Sequence, residues 1–92
     1  ARAFIGEYGL DGLVADLSPF SRDIAAYFSI IAALDCVVSV DTSAAHVAGA
    51  LRRPAVALFN TIDHRLRTRY YRSVVPVQVA YRGKNCQAPC GL

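Results

Sequence analysis

Two short apolar runs, "CVVSV" (residues 36–40) and "AVALF" (residues 55–59), flank a small-residue segment, "SAAHVAGALRR". This arrangement constrains the fold more than anything else in the chain. Short, nearly continuous apolar runs suit parallel strands covered on both faces. Residues 44–52 between them read as a helix with Ala44, Val47, Ala48 and Leu51 on one face. Its small side chains permit close packing on a sheet. Arg52 and Arg53 fall at the negative end of its dipole, and Pro54 stops it. Strand, helix and strand in this order imply a crossover connection and parallel pairing.

The flanking segments extend the same alternation. Residues 1–8 read as a helix with Gly9 as its C-terminal stop. "LVADL" (13–17) reads as a further strand. Ser18 as N-cap and Pro19 at the first helical position open a helix over 19–34. Ile24, Phe28, Ile31 and Leu34 give it an apolar face, widened by Tyr27 and Ile30. Residues 60–71 read as a polar, basic loop or short helix. "SVVPVQVAY" reads as a last strand, placed at an edge or bulge by Pro76. The tail after Arg82 reads as irregular. The expected fold is α/β, a partial Rossmann-like three-layer domain with a parallel sheet of about four strands. So small a sheet leaves an apolar edge open, which suggests missing strands or pairing of two copies through that edge.

Composition narrows the functional classes. An apolar share of 54% permits a core in a single domain. No apolar run approaches the length of a membrane span. The chain contains no Met and begins with Ala1, so residues 1–92 are expected to be one excised piece of a longer protein. Net charge is +3, with Arg65, Arg67, Arg69 and Arg72 close together. Such a cluster suits an anionic partner or a solvated loop, and the interleaved Tyr70 and Tyr71 make a nucleic-acid or polyanion surface an alternative. Cys36 reads as a buried small hydrophobe. Cys86 and Cys90 supply only half a structural zinc site, and the low cysteine content suits a reducing cytoplasm.

The chemistry concentrates at Asp41, Thr42, Ser43 and His46. In an open parallel sheet, ligands bind beyond the carboxyl ends of the strands, where these residues fall. They also open a helix, whose first N–H groups lack intrahelical partners and favour an anion. A diphosphate would fit, with Thr42 and Ser43 adding hydroxyls and His46 reaching a phosphate or sugar oxygen. Asp41 suits a pair of sugar hydroxyls. An ordinary N-cap at Asp41 or Thr42 would explain the turn equally well. Asp63-His64 could form an acid/base or metal pair. Asp16, Asp23 and Asp35 read as turn or helix-end carboxylates.

The segment "LDCVVSVDTSAAHVAGALRRPAVALFNTIDHR" resembles the donor-domain signature of glycosyltransferase family 9, the ADP-heptose:lipopolysaccharide heptosyltransferases. Asp35, Ser39, Asp41, Thr42, His46, Ala48, Ala50, Leu51, Pro54 and Phe59 match that pattern in order and spacing, and "CQAPC" is similar to a C-terminal segment of some members. Three glycines of the pattern differ: Ser43 follows Asp-Thr, Arg53 follows the helix and Asn60 follows the strand. The pattern's loop Pro is also missing around His64.

The resemblance implies the C-terminal half of a two-domain GT-B glycosyltransferase, binding an ADP-heptose-like nucleotide sugar. Asp41 would contact the sugar, and Thr42, Ser43 and His46 the diphosphate. The acceptor glycan, lipopolysaccharide in bacterial members, and the general base would belong to an N-terminal domain that is absent here. No catalytic residue, metal or cofactor is assigned to this segment, which is expected to be inactive alone. A cytoplasmic location is expected, at the inner-membrane periphery for the full-length protein.

Overall fold

The computed structural model describes residues 1–90. Three strands, β1 (Val37–Val40), β2 (Ala55–Phe59) and β3 (Val74–Gln78), form a parallel sheet in the order β1-β2-β3. Val37 pairs with Ala55, and Ala55 in turn with Val74. Pro76 sits opposite Ala57 in β3, an edge strand where the missing N–H can face away from the ladder. Four helices accompany the sheet: α1 (Arg2–Glu7), α2 (Ile24–Ala33), α3 (Ser43–Ala50) and α4 (Arg65–Thr68), with a 3₁₀ turn over Ser18–Phe20. The last strand expected through Tyr81 ends at Gln78, and Tyr81–Arg82 forms a separate strand, β4, which pairs antiparallel with β5 (Gln87–Ala88) in the tail expected to be irregular. The architecture is a partial Rossmann-like α/β domain.

The core lies between α3 and one face of the sheet. Val37, Ala55, Ala57, Phe59 and Val74 face Ala45, Val47 and Ala48 of α3, and Ile31 of α2 joins them. Alanines dominate, so helix and sheet approach closely. Phe59, at 1% exposure, is the one large side chain fully buried among the described residues. The other sheet face is bare: Val38, Val40, Leu58, Val75 and Val77 are exposed. The radius of gyration is 15.6 Å, against about 12 Å for a compact chain of this length.

Several expectations are corrected. Residues 13–17 form no strand, so the parallel sheet has three strands rather than four. The Leu10 carbonyl accepts the N–H groups of Leu13 and Val14, both at 2.9 Å. The Asp16 carboxylate takes the N–H and hydroxyl of Ser18 at 3.0 and 2.6 Å. Backbone groups spent on local turns are unavailable to a ladder. The helix expected over 19–34 begins at Ile24, where Asp23 caps it by accepting from the Ala26 N–H at 2.8 Å. Its buried side runs through Tyr27 and Ile31, whereas Ile24 and Phe28 are exposed. Cys36 is exposed because it precedes β1 in the phase of the bare face, with Val38 and Val40.

The two principal helix stops differ instructively. Gly9, at φ 63°, ends α1 with Leu10 N–H donating to Ile5 O and Gly9 N–H to Gly6 O, the paired bonds of a Schellman motif. Helix α3 ends in the same way, with Arg53 N–H donating to Ala48 O at 2.8 Å and Arg52 N–H to Gly49 O at 3.2 Å. Here the left-handed residue is Arg52, at φ 55°. The pattern's post-helix Gly therefore falls on Arg52 and not on Arg53, as the Leu-Gly-x-Pro spacing from Leu51 to Pro54 also requires. A side chain in this region costs on the order of 1 kcal/mol. Arg52→Gly should stabilise the fold by about 0.5–1 kcal/mol, read as a higher urea midpoint. An unchanged or lower midpoint would refute strain at this position.

Candidate functional site

The site is built where β1 hands over to α3. Asp41 follows the last residue of β1, and Thr42 is the N-cap position of α3, extended at φ −141° and ψ 175°. No side chain caps this helix, although Asp41 or Thr42 could have done so. The contrast with Asp23 on α2 is direct. Ser39 Oγ donates to the Val40 carbonyl at 2.8 Å and stands 3.0 Å from Thr42 Oγ1. With the Ser39 proton so engaged, Thr42 donates to Ser39. Among the described residues the Ser43 and Ala44 N–H groups thus lack an acceptor at the positive end of the dipole, whereas the Ala45 N–H donates to the Thr42 carbonyl at 3.2 Å.

Ser43 replaces the pattern's Gly without backbone strain, since its φ is not positive. Its hydroxyl turns toward α2, 3.3 Å from Tyr27 Oη. His46, one turn in, is half-buried, and its Nδ1 lies 3.1 Å from Tyr71 Oη. The two rings meet edge to face with centroids 5.7 Å apart. Asp41, Thr42 and Ser43 thus stand at the start of α3 with His46 one turn in, and their side chains turn to separate partners, Arg67, Ser39, Tyr27 and Tyr71.

A cleft of about 330 Å³ opens beside Asp41, lined by Val40, Leu58, Phe59, Asn60 and Thr61 among others. It lies beyond the carboxyl ends of β1 and β2, where open α/β sheets take their ligands. A larger cleft of about 520 Å³, bordered by Gly49, Arg52 and Arg72, lies at the opposite end of α3, away from the 41–46 turn. The loop that walls the first cleft is held by Gln78. Its Oε1 accepts from His64 N–H at 2.9 Å, and its Nε2 donates to Asn60 O at 3.1 Å.

The basic segment does not present one arginine face. Helix α4 covers only Arg65–Thr68. Arg67 Nε approaches Asp41 Oδ2 at 4.0 Å, and Arg69 stacks on Tyr70 at 4.6 Å. Arg65 turns back on Asp63 through both side-chain oxygens. The Asp63 carboxylate and the His64 backbone are thereby engaged in local structure. Arg65 holds the carboxylate, and the His64 carbonyl accepts from Arg67, Thr68 and the Thr68 hydroxyl. No cluster of His, Cys, Asp or Glu suited to a metal occurs among the described residues.

The Arg65 guanidinium, then the Arg65 backbone N–H, hold the Asp63 carboxyl down at about 2 from its ordinary 3.8. A folded-state value below the unfolded one stabilises the fold above the unfolded value, and this is lost as pH falls through about 2. Carboxyl carbon NMR should place the Asp63 midpoint near 2, and Arg65→Ala should return it toward 3.8. A midpoint unmoved by Arg65→Ala would show that the pair does not form.

Sequence reasoning did not find Tyr27, Arg67, Tyr71 or Gln78. Each reaches the site from a distant segment, and only the Arg cluster and paired tyrosines signalled it. Residues 21–90 match the family model for glycosyltransferase family 9 (heptosyltransferase). The chain belongs to glycosyltransferase family 9. Comparisons with curated proteins and with solved structures found no match. Within this family 9 chain, the match takes in α2, the whole parallel sheet and the 41–46 turn, and leaves out α1 and the turns that follow it. No helix among the described residues is long and apolar enough to cross a membrane.

Proposed function

We propose that these residues form part of the donor-binding domain of a glycosyltransferase that moves a sugar from a nucleoside-diphosphate donor to a glycan acceptor. The observation that carries this reading is the uncapped N-terminus of α3, open beside Asp41 although capable capping side chains surround it. The outward N–H groups, Thr42, Ser43 and His46 would hold the diphosphate, and Asp41 the sugar hydroxyls. Arg67, within reach of Asp41, would add a positive charge as the leaving diphosphate develops negative charge. Charge placed where it develops lowers the barrier.

Deprotonating the acceptor hydroxyl needs a base on the far side of the sugar. We assign that base and the acceptor site to a second domain, so the segment would be inactive alone. The bare sheet face and the open β1 edge support further polypeptide packing here. The family's description names a heptosyltransferase, and we extend the reading to an ADP-heptose-like donor and a lipopolysaccharide acceptor, as the sequence resemblance implies. A second copy pairing through the β1 edge is the other use of that edge, and sedimentation as a monomer would remove it.

Titration with ADP-sugars and UDP-sugars, followed by amide chemical shifts, tests the donor site. Residues 41–46, Asn60 and Thr61 should move together. Silence there in a folded protein would overturn the proposal.

A further inference from the structure

His46 and Tyr71 form a pair whose polarity decides what His46 can bind. A neutral imidazole carries one proton, so one ring nitrogen donates and the other accepts. Were Nδ1 the protonated nitrogen, it would donate to Tyr71 Oη and leave a lone pair on Nε2. That lone pair would repel a phosphate oxygen. Were Tyr71 the donor, Nδ1 would accept and Nε2–H would be available to an anion. No other hydrogen-bond partner of Tyr71 Oη exists among the described residues, so its proton is not committed elsewhere. The imidazole nitrogen is a much stronger base than a phenol oxygen, which makes O–H···N the favoured arrangement.

Tyr71 is also held in place. Its ring lies against Gly49, where an added Cβ would stand 2.5 Å from the Tyr71 ring root. Its N–H donates to Thr68 O at 2.9 Å, and the side chain packs against the core. A phenol fixed on one side by the helix backbone and on the other by the imidazole edge has little freedom to turn away.

We propose that Tyr71 is a positioning residue that locks His46 in the Nε2–H tautomer, making His46 a hydrogen-bond donor for an anionic ligand at the α3 N-terminus. The ligand class is a phosphate or diphosphate ester. Its part in binding rests on the donor-site reading above, whereas the tautomer lock stands on the geometry alone.

Ring-nitrogen NMR of the 92-residue chain in mildly alkaline buffer reads the tautomer directly. Nδ1 of His46 should show the shift of an unprotonated, hydrogen-bonded nitrogen. Tyr71→Phe keeps the ring and removes the donor, and should raise the Nδ1–H population relative to Nε2–H by about fivefold, the effect of losing one net hydrogen bond. ADP affinity should fall in proportion to the Nε2–H fraction that is lost, a smaller factor than the change in the tautomer ratio. A protonated Nδ1 in the wild type, or identical ring shifts in the variant, would overturn the lock. A changed tautomer with unchanged ADP affinity would keep the lock and overturn the role of His46 in the donor site. If Tyr71→Phe fails to fold, the wild-type ring shifts alone decide.

Discussion

Phe59→Ala should lower the melting temperature by more than about 10 °C, and it is the largest stability effect expected of any single truncation here. Phe59 ends β2, the central strand, at 1% exposure. Its core cluster is mostly alanines and valines, with Ile31, and these short side chains cannot fill the space it would leave. Phe→Ala in such a place costs about 3–5 kcal/mol, transfer and cavity together. A chain of this size is stable by roughly 5–14 kcal/mol, and one bare sheet face argues for the low end. For a domain of this length, each kcal/mol moves the midpoint by about 4–8 °C. Thermal unfolding by far-UV circular dichroism measures it. The variant should also disturb the cleft, because Phe59 lines it and its ring approaches His64 at 6.4 Å. A melt within a few degrees of wild type would mean that the α3–sheet contact is not the core.

Much of this core is legible in the linear order of residues, for an identifiable reason. The strands at 36–40 and 55–59 are bracketed by Asp41 and Pro54, which fix where the intervening helix can start and stop. The structure begins β1 at Val37 and keeps β2 at Ala55–Phe59. Local signals fail where they depend on what lies opposite. Ile24, Phe28 and Ile31 share a helical stripe in sequence, yet only Ile31 finds a neighbour on α3 and the sheet. Apolar periodicity says that a face exists but not which side of it is covered. At residues 13–17 the composition suited a strand, and the carboxylate of Asp16 and the Leu10 carbonyl diverted the backbone into turns.

The same division applies to the site. Asp41, Thr42, Ser43 and His46 are close in sequence, so one strand-to-helix turn carries them all and their grouping could be foreseen. Arg67 and Tyr71 reach the turn through tertiary packing, which no spacing encodes. The arginine cluster suggested a single basic face. In the fold its charges diverge, with Arg65 neutralised on Asp63 and Arg67 turned to Asp41. An unused capability is what supports the proposed donor site. Thr42 occupies the N-cap position of α3 with a side chain able to cap and leaves the helix uncapped, a fact visible only in the geometry.

Gly49→Ala should reverse the usual sign of a glycine-to-alanine change in a helix. Alanine in a helix interior normally gains about 0.5–1 kcal/mol over glycine. Gly6 in α1 is the internal control, with nothing within 4 Å of an added Cβ, so Gly6→Ala should stabilise by about that amount. At Gly49 the added Cβ would stand 2.5 Å from Tyr71 Cγ and 2.7 Å from both Cδ atoms. These atoms are at the root of the ring, so a rotation of the side-chain tip does not relieve them. Overpacking costs about 1–3 kcal/mol, which exceeds the helical gain, so Gly49→Ala should be net destabilising. The protein can escape only by moving Tyr71 away from α3, and His46 then loses its partner at Nδ1. The variant should therefore lose the His46 ring-nitrogen signature of the wild type and weaken ADP binding by at least as much as Tyr71→Phe. Urea unfolding of both glycine variants, with ring-nitrogen NMR on Gly49→Ala, separates the two effects. If both variants stabilise equally, Tyr71 is not seated on Gly49, and His46 is positioned by something other than that contact.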